Sequence, residues 1–177
     1  MELVSAWNAD EISSIKIDFI EAIQDGQIKN IPIPISPGST NQSIGNQVAD
    51  FFVTIVNKSL RKFLITECPG KGYPDRVLRD GASKKTYPLE LKATSSWDST
   101  DSNRRVLTSS SKKLRSNFLP PICHLLATCC YSDLDSTYRL NAVRFDFIEP
   151  TTEVNIRLEA SVSHKILADG RHKKVQI

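Results

Sequence analysis

Residues 72–94 of the chain have the sequence "GYPDRVLRDGASKKTYPLELKAT". The pair Asp80-Gly81 inside it is a strong turn signal, because both residue types tolerate the backbone angles of tight turns. Segments suited to β-strands lie on either side of that pair. The sequence therefore predicts a β-hairpin with its tip at or near residues 82 and 83.

The strand pairing in this hairpin brings three charged residues together. If the pairing is symmetric about the bond between residues 82 and 83, Asp75 lies opposite Glu90, with Cβ atoms about 4.5–5.5 Å apart. Glu90 and Lys92 are two residues apart, so their side chains leave the same face of the strand. One face of the sheet is thus expected to carry Asp75, Glu90 and Lys92.

Two opposed carboxylates repel each other unless positive charge lies between them. Lys92 is one source of that charge, and a divalent cation is another, since a pair of carboxylates with water and phosphate oxygens is a common way to hold Mg²⁺. The alternative is a surface hairpin with solvated charges. Leu89 and Leu91 argue against it, because their face of the strand is typical of a core. Pro88 is unexpected there, since it cannot donate a ladder hydrogen bond.

The remaining apolar patterns predict two helices and several further strands. Helical spacing of apolar residues indicates helices over 9–24 and over 43–59, the second with Ser43 as its N-cap. The strands are expected at 61–68, 122–131, 138–148 and 153–162. This order predicts an α+β (or α/β) fold, in which helices flank a central mixed sheet.

Length and composition indicate one domain over residues 1–177, with N-terminal helices in about 9–59 and a core in about 60–162. The chain lacks an apolar stretch of about 18–20 residues, the length needed to span a bilayer. Its first residues do not resemble a signal peptide, so a cytoplasmic protein is expected.

Charge is distributed unevenly along the chain. Residues 1–57 carry two basic and seven acidic residues, whereas the remainder carries 21 basic and 13 acidic residues. An excess of basic residues in the second part favours a polyanionic partner, although solvated surface charge explains part of the pattern.

A zinc site is an alternative for the apolar run "ICHLLATCCY", residues 122–131. It would use His124 with Cys123, Cys129 and Cys130. The run has no C-x-x-C pair, and neighbouring residues on a strand point to opposite faces. Reduced core cysteines are therefore the favoured interpretation.

The Pro74-Asp75 pair and the Glu90-Leu91-Lys92 triplet resemble the P-D…(D/E)-x-K motif of a nuclease superfamily. Within it, the chain looks most like a type II restriction endonuclease, which implies a restriction-endonuclease-like core. The resemblance implies that Asp75, Glu90 and the carbonyl of Leu91 bind Mg²⁺, with Mn²⁺ as a substitute, and that Lys92 is the catalytic lysine.

Two further polar residues are weaker catalytic candidates. Many members of the superfamily add a polar residue from the helix that precedes the core strands. Gln47 borders the apolar stripe of the predicted second helix, whereas Asp50 lies nearly opposite that stripe and is expected to be solvated. Glu67 ends the preceding strand and is the second candidate; a simple surface role is the alternative for both Gln47 and Glu67.

The segment after the hairpin is the expected DNA contact. Residues 103–117 contain five basic residues and no acidic ones, namely Arg104, Arg105, Lys112, Lys113 and Arg115. Such side chains suit phosphate contacts, and Arg also reads guanine edges. A solvated basic loop is the alternative.

The resemblance therefore implies a Mg²⁺-dependent endonuclease, a type II restriction enzyme, that hydrolyses phosphodiester bonds at a specific site in double-stranded DNA. One active site per chain implies a homodimer with two-fold symmetry, because both strands must be cut. Two alternatives remain open: a structure-selective, homing or repair nuclease of the same fold, and a non-catalytic DNA-binding module.

Overall fold

A computed structural model describes residues 2–3, 6–97, 112–118 and 122–150 of the chain. The helices are α1 (Ala9–Asp25), a short 3₁₀ helix (Ile28–Asn30), α2 (Asn41–Val56) and α3 (Lys112–Asn117). The strands are β1 (Glu2–Leu3), β2 (Phe63–Glu67), β3 (Arg76–Asp80), β4 (Lys85–Thr94), β5 (His124–Leu134) and β6 (Thr137–Ile148).

The described strands form one mixed sheet in the order β2-β3-β4-β5-β6, and β1 pairs with β4. The β4–β5 and β1–β4 pairs are parallel, whereas the other pairs are antiparallel. The predicted α+β class with a central mixed sheet flanked by helices is confirmed.

Helices cover both faces of this sheet. The main core lies between the sheet and the helices α1 and α2, and its fully buried members include Phe19, Phe52 and Leu89. On the other face, Val77 of β3 packs with Phe118 and Cys68 in a smaller apolar cluster beside α3. β3 contributes to both apolar clusters because successive side chains point to opposite faces of a strand.

The starts of both long helices are fixed by side-chain caps. Asn8 and Glu11 form a capping box at the start of α1, which confirms the predicted helix there to within a residue at its end. The predicted cap at Ser43 is wrong: α2 begins at Asn41, and Thr40 accepts a hydrogen bond from the Ser43 backbone N–H at 3.3 Å. Thr40 is a favourable cap as well, and only the turn geometry distinguishes the two residues.

The predicted register of the hairpin is confirmed. Arg76 pairs with Leu89 and Arg79 with Thr86, which is the symmetry expected about the bond between residues 82 and 83. At the tip, the Asp80 carboxylate accepts hydrogen bonds from the backbone N–H groups of Ala82 and Ser83.

Pro88 lies where the neighbour of β4 changes. The β4 residues Lys85 and Thr86 pair with β1, and pairing with β5 begins at Leu89. Pro88 falls between these two ladders. A residue without an N–H donor is least costly at such a position, which accounts for a proline within a central strand.

The strands β5 and β6 form a second hairpin, with a turn at Asp135 and Ser136. The prediction of a strand over 153–162 lies outside the described residues. In the part of the chain that the structure describes, no helix has the length and apolar character needed to cross a membrane.

All four cysteines, Cys68, Cys123, Cys129 and Cys130, are buried and lie outside any disulfide bond. Burial raises the pKa of the Cys68 and Cys129 thiols and raises that of Cys123 to about 11. These three thiols are therefore protonated at neutral pH, and the interpretation of the cysteines as reduced core residues agrees with their burial.

Candidate active site

Asp75, Glu90 and Lys92 meet where β3 begins beside the middle of β4. Lys92 Nζ lies 2.6 Å from Glu90 Oε1. The Asp75 backbone N–H donates to Glu90 Oε2 at 3.3 Å, and the Leu91 backbone N–H donates to Asp75 Oδ2 at 2.9 Å. The structure thus brings all three predicted side chains together, as the pairing register requires.

The position of the cluster follows from unequal strand lengths. β3 starts at Arg76, whereas β4 continues to Thr94, so the last residues of β4 extend beyond the strand that pairs with its first half. Asp75 stands at this step in the sheet. Its carboxylate accepts the hydrogen bond from the Leu91 N–H, in the part of β4 that has no β3 residue opposite it.

Glu90 is held in an environment that disfavours its charge. It is 6% exposed. Burial raises the pKa of its carboxyl, the hydrogen bond from Lys92 opposes that rise, and the nearby charge of Asp75 adds to it. A buried carboxylate beside another carboxylate is relieved by a bound cation, because positive charge favours the ionised forms of both.

A cavity of about 550 Å³ lies next to this cluster, between the first half of α2 and the sheet. Asp75, Arg76, Leu91 and Lys92 line its sheet side, while polar residues of α2 line the opposite side. The helix lies within contact distance of β4 here: a Cβ at Gly45 would make an ordinary van der Waals contact, 3.8 Å from the Cβ of Ala93. Water and an anionic ligand thus have room beside Asp75 and Lys92.

Arg76 adds a cation to the same cavity. Its Nη2 donates to Asp50 Oδ1 at 2.9 Å and its Nη1 to the Asp75 carbonyl at 3.1 Å. Its Nε lies 3.3 Å from Glu67 Oε1, yet the angle is poor, and this buried N–H makes no hydrogen bond within the described residues. Arg76 follows the Pro-Asp pair directly, but only the tertiary structure shows that it lines the cavity.

Neither Glu67 nor Gln47 lines the cavity. The Glu67 side chain is 79% exposed and contacts Arg76 from the end of β2. Gln47 holds the loop before α2: its Oε1 accepts from the Ser36 N–H at 2.8 Å, and its Nε2 donates to Ser39 Oγ at 2.9 Å. The structure does not bring either side chain into the Asp75–Glu90–Lys92 cluster. Asp50, expected to be solvated, is 65% exposed and lines the cavity.

Tyr73, which is buried, and His124, which is partly exposed, form a polar pair near the carboxylates. The Tyr73 hydroxyl is hydrogen-bonded to His124 Nδ1. Burial and the charges of Glu90 and Asp75 raise the pKa of Tyr73, while burial lowers the pKa of His124. This histidine is therefore a neutral partner of a tyrosine rather than part of a cysteine cluster. Sequence reasoning missed the pair, because the two residues are far apart in the chain.

The predicted DNA contacts divide into three groups. Arg104 and Arg105 lie outside the described residues. Lys112 and Arg115 are exposed on α3. Lys113 is buried, and its Nζ donates to the Gly72 carbonyl at 3.2 Å, so it supports the loop that leads to Asp75.

Within the described ranges, no three or more His, Cys, Asp and Glu side chains are grouped so that they could hold a metal ion. This finding gives the zinc alternative no support. A Mg²⁺ site needs only one or two carboxylates, since water and phosphate oxygens complete its shell. Asp75 and Glu90 fit that requirement in donor type and proximity.

Comparisons with known proteins give no further guidance: no family model matches the chain, and neither curated proteins nor solved structures yield a match.

Proposed function

We propose that this chain is a Mg²⁺-dependent endonuclease that hydrolyses phosphodiester bonds at a specific site in double-stranded DNA. The observation that supports it best is the confirmed hairpin register, which sets the buried Glu90 beside Asp75 with Lys92 Nζ 2.6 Å from Glu90 Oε1. A plain surface hairpin has no reason to bury a carboxylate next to a second one.

The residues divide the chemical work according to their positions. Asp75 and Glu90, with the Leu91 carbonyl, would hold the ion. When bound there, such an ion would supply a water ligand of lowered pKa and positive charge beside the phosphate. Lys92 lines the cavity, where its ammonium can orient that water or neutralise charge that develops on the phosphate oxygens. Arg76 contributes a second positive charge to the same cavity.

Substrate approach is supported by the exposed basic residues Lys112 and Arg115 on α3. Cleavage of both strands requires two active sites, so the proposal includes a two-fold symmetric homodimer. A structure-selective nuclease would use the same cluster, but it would cut branched DNA in preference to linear duplex.

The test is cleavage of a mixed linear duplex substrate, followed by sequencing of the ends. The wild type is expected to cut with Mg²⁺ or Mn²⁺, to stop with a chelator and to give ends that share a sequence. Lys92→Ala is expected to lower the cleavage rate by about 100-fold or more while DNA binding persists. Lys58→Ala, an exposed lysine remote from the cavity lining, is the matched control and should cut normally.

If the folded wild type cuts no DNA with any divalent ion, the proposal fails. Equal cleavage by Lys92→Ala and Lys58→Ala would remove Lys92 from the mechanism.

A further inference from the structure

The first half of α2 presents a row of polar side chains to the cavity. Gln42, Asn46 and Asp50 follow one another at four-residue spacing, which places them on one side of the helix. All three line the cavity that also contains Asp75 and Lys92. Nothing in the cleavage chemistry proposed above requires the two amides.

These amides have unused hydrogen-bonding capacity. Gln42 and Asn46 are exposed, and neither side chain makes a hydrogen bond to another residue of the described ranges. Gln47, next to Asn46 in sequence, differs: its amide bonds to Ser36, Ser39 and Ser43. The same helix thus uses one amide to hold its own loop, whereas Gln42 and Asn46, together with Asn41 at its first position, line the cavity.

The row is carried on a well-fixed helix. Thr40 caps its start, and Val48 and Phe52 anchor its opposite side in the core. The helix that carries the two amides is therefore fixed beside the cavity, as the support of a recognition element must be.

An amide side chain offers one acceptor and two donors, and it has no charge. It adds little to the attraction of phosphates, which is the work of Lys and Arg. A donor and acceptor side by side suit base edges, and Asn or Gln pairs with adenine through two hydrogen bonds. We propose that Gln42 and Asn46 contact the base edges beside the cleaved phosphodiester and set the sequence preference there. This inference rests on the proposed nuclease function.

The experiment compares cleavage of a duplex library randomised around the preferred site. Gln42→Ala and Asn46→Ala are expected to cut the best wild-type sequence about 10- to 100-fold more slowly and to relax the preference at one or two positions. Gln42→Glu is expected to change the preferred base toward cytosine, because a carboxylate accepts from the cytosine amino group. Gln24→Ala, an exposed amide near the end of α1, is the matched control.

Circular dichroism and thermal unfolding establish that each variant is folded. A uniform loss of cleavage over all sequences would overturn the inference in favour of backbone contacts, and an unchanged profile in all three variants would overturn it as well. These outcomes differ from failure of the proposed function, in which the wild type itself cuts no member of the library.

Discussion

Two carboxylates in this protein are buried to nearly the same degree and are held in opposite ways. Asp18 of α1 is 5% exposed, and Glu90 of β4 is 6% exposed. Asp18 accepts three backbone hydrogen bonds, from Arg61 and Lys62 at 3.0 Å and from Phe63 at 2.9 Å. Glu90 faces another carboxylate and has one lysine and one longer backbone contact.

At equal burial, a carboxylate whose charge is satisfied by the fold differs from one that has room for a further positive partner. The partners of Asp18 are N–H groups at the start of β2, so its charge is satisfied within the fold and joins α1 to the sheet edge. Glu90 keeps a raised pKa and lies next to a second negative charge. Such an arrangement costs stability, and it is retained at sites where a ligand completes the set.

The largest effect is expected from Glu90→Gln, which keeps the shape and removes the charge. Cleavage should fall about 1,000-fold, since a bound metal supplies several kcal/mol of transition-state stabilisation. Unfolding free energy should change by less than about 1 kcal/mol, because the mutation relieves the burial of one charge while Lys92, which remains, lines the cavity where water can solvate it. Single-turnover cleavage and urea unfolding measure the two quantities.

Glu67→Gln is the matched control, since this exposed glutamate touches only the far side of Arg76. It should cut at a rate near that of the wild type. If it instead fell as far as Glu90→Gln, Glu67 would have to be counted in the active site.

The second-largest effect is expected at Asp18→Ala, which should lower stability and leave cleavage by the folded protein unchanged. Three backbone N–H donors would lose their acceptor, at about 1–3 kcal/mol for each donor that stays buried and unsatisfied. Only the hydrogen bond from Phe63 is fully buried, whereas those from Arg61 and Lys62 are partly buried, so a total loss of about 2–4 kcal/mol in unfolding free energy is expected, measured by urea denaturation. The folded fraction should cleave normally. Asp10→Ala, in the exposed first turn of α1, should cost under about 1 kcal/mol.

The stability of the protein is expected to depend on pH through the raised pKa of Glu90. Because burial raises the pKa of Glu90 in the folded state, the folded protein binds this proton more tightly than the unfolded chain does. The contribution of Glu90 to stability should therefore fall as pH rises from the ordinary glutamate pKa of about 4.3 toward the folded value.

Glu90→Gln removes this titration. Its unfolding free energy relative to the wild type should therefore rise with pH over that window, by at most about 1.4 kcal/mol per pH unit, and become constant above it. Urea denaturation of both proteins across the window measures the difference. A difference that fell with rising pH would show that Glu90 is stabilised in its charged form.

The smallest effect is expected at Asp50→Asn, an exposed carboxylate of α2 that lines the cavity beside Asp75. Its side chain is 65% exposed and pairs with Arg76, and exposed ion pairs are worth about 0–1 kcal/mol. Urea denaturation should detect a loss within that range. A loss above about 2 kcal/mol would mean that exposure is a poor guide to the role of a carboxylate in this molecule.

Local patterns predicted much of this structure. The turn at Asp80-Gly81 fixed the hairpin register, and the register placed Asp75 beside Glu90 without any knowledge of the rest of the chain. Helices α1 and α2 were predicted because their apolar residues repeat at helical spacing, although the cap of α2 fell at Thr40 rather than Ser43.

Contacts between distant segments were not predictable in the same way. The cavity depends on how α2 crosses β4, so the sequence did not show that Arg76 and Asn46 face each other across it. Lys113 was counted among surface bases, but packing of α3 buries it against the loop at Gly72. The Tyr73–His124 pair likewise depends on the pairing of β5 with the hairpin, and local periodicity does not predict that pairing.

The buried cysteines can report on local opening of the two apolar clusters, because their thiols become accessible only when the structure opens. Cys129 lies in the main core and Cys68 in the smaller cluster beside α3. Thiol reagents attack thiolates that are accessible, so labelling in the native state should be slow and limited by opening of the structure. Mass spectrometry of timed labelling would then show which apolar cluster separates first from the sheet, without any engineered probe.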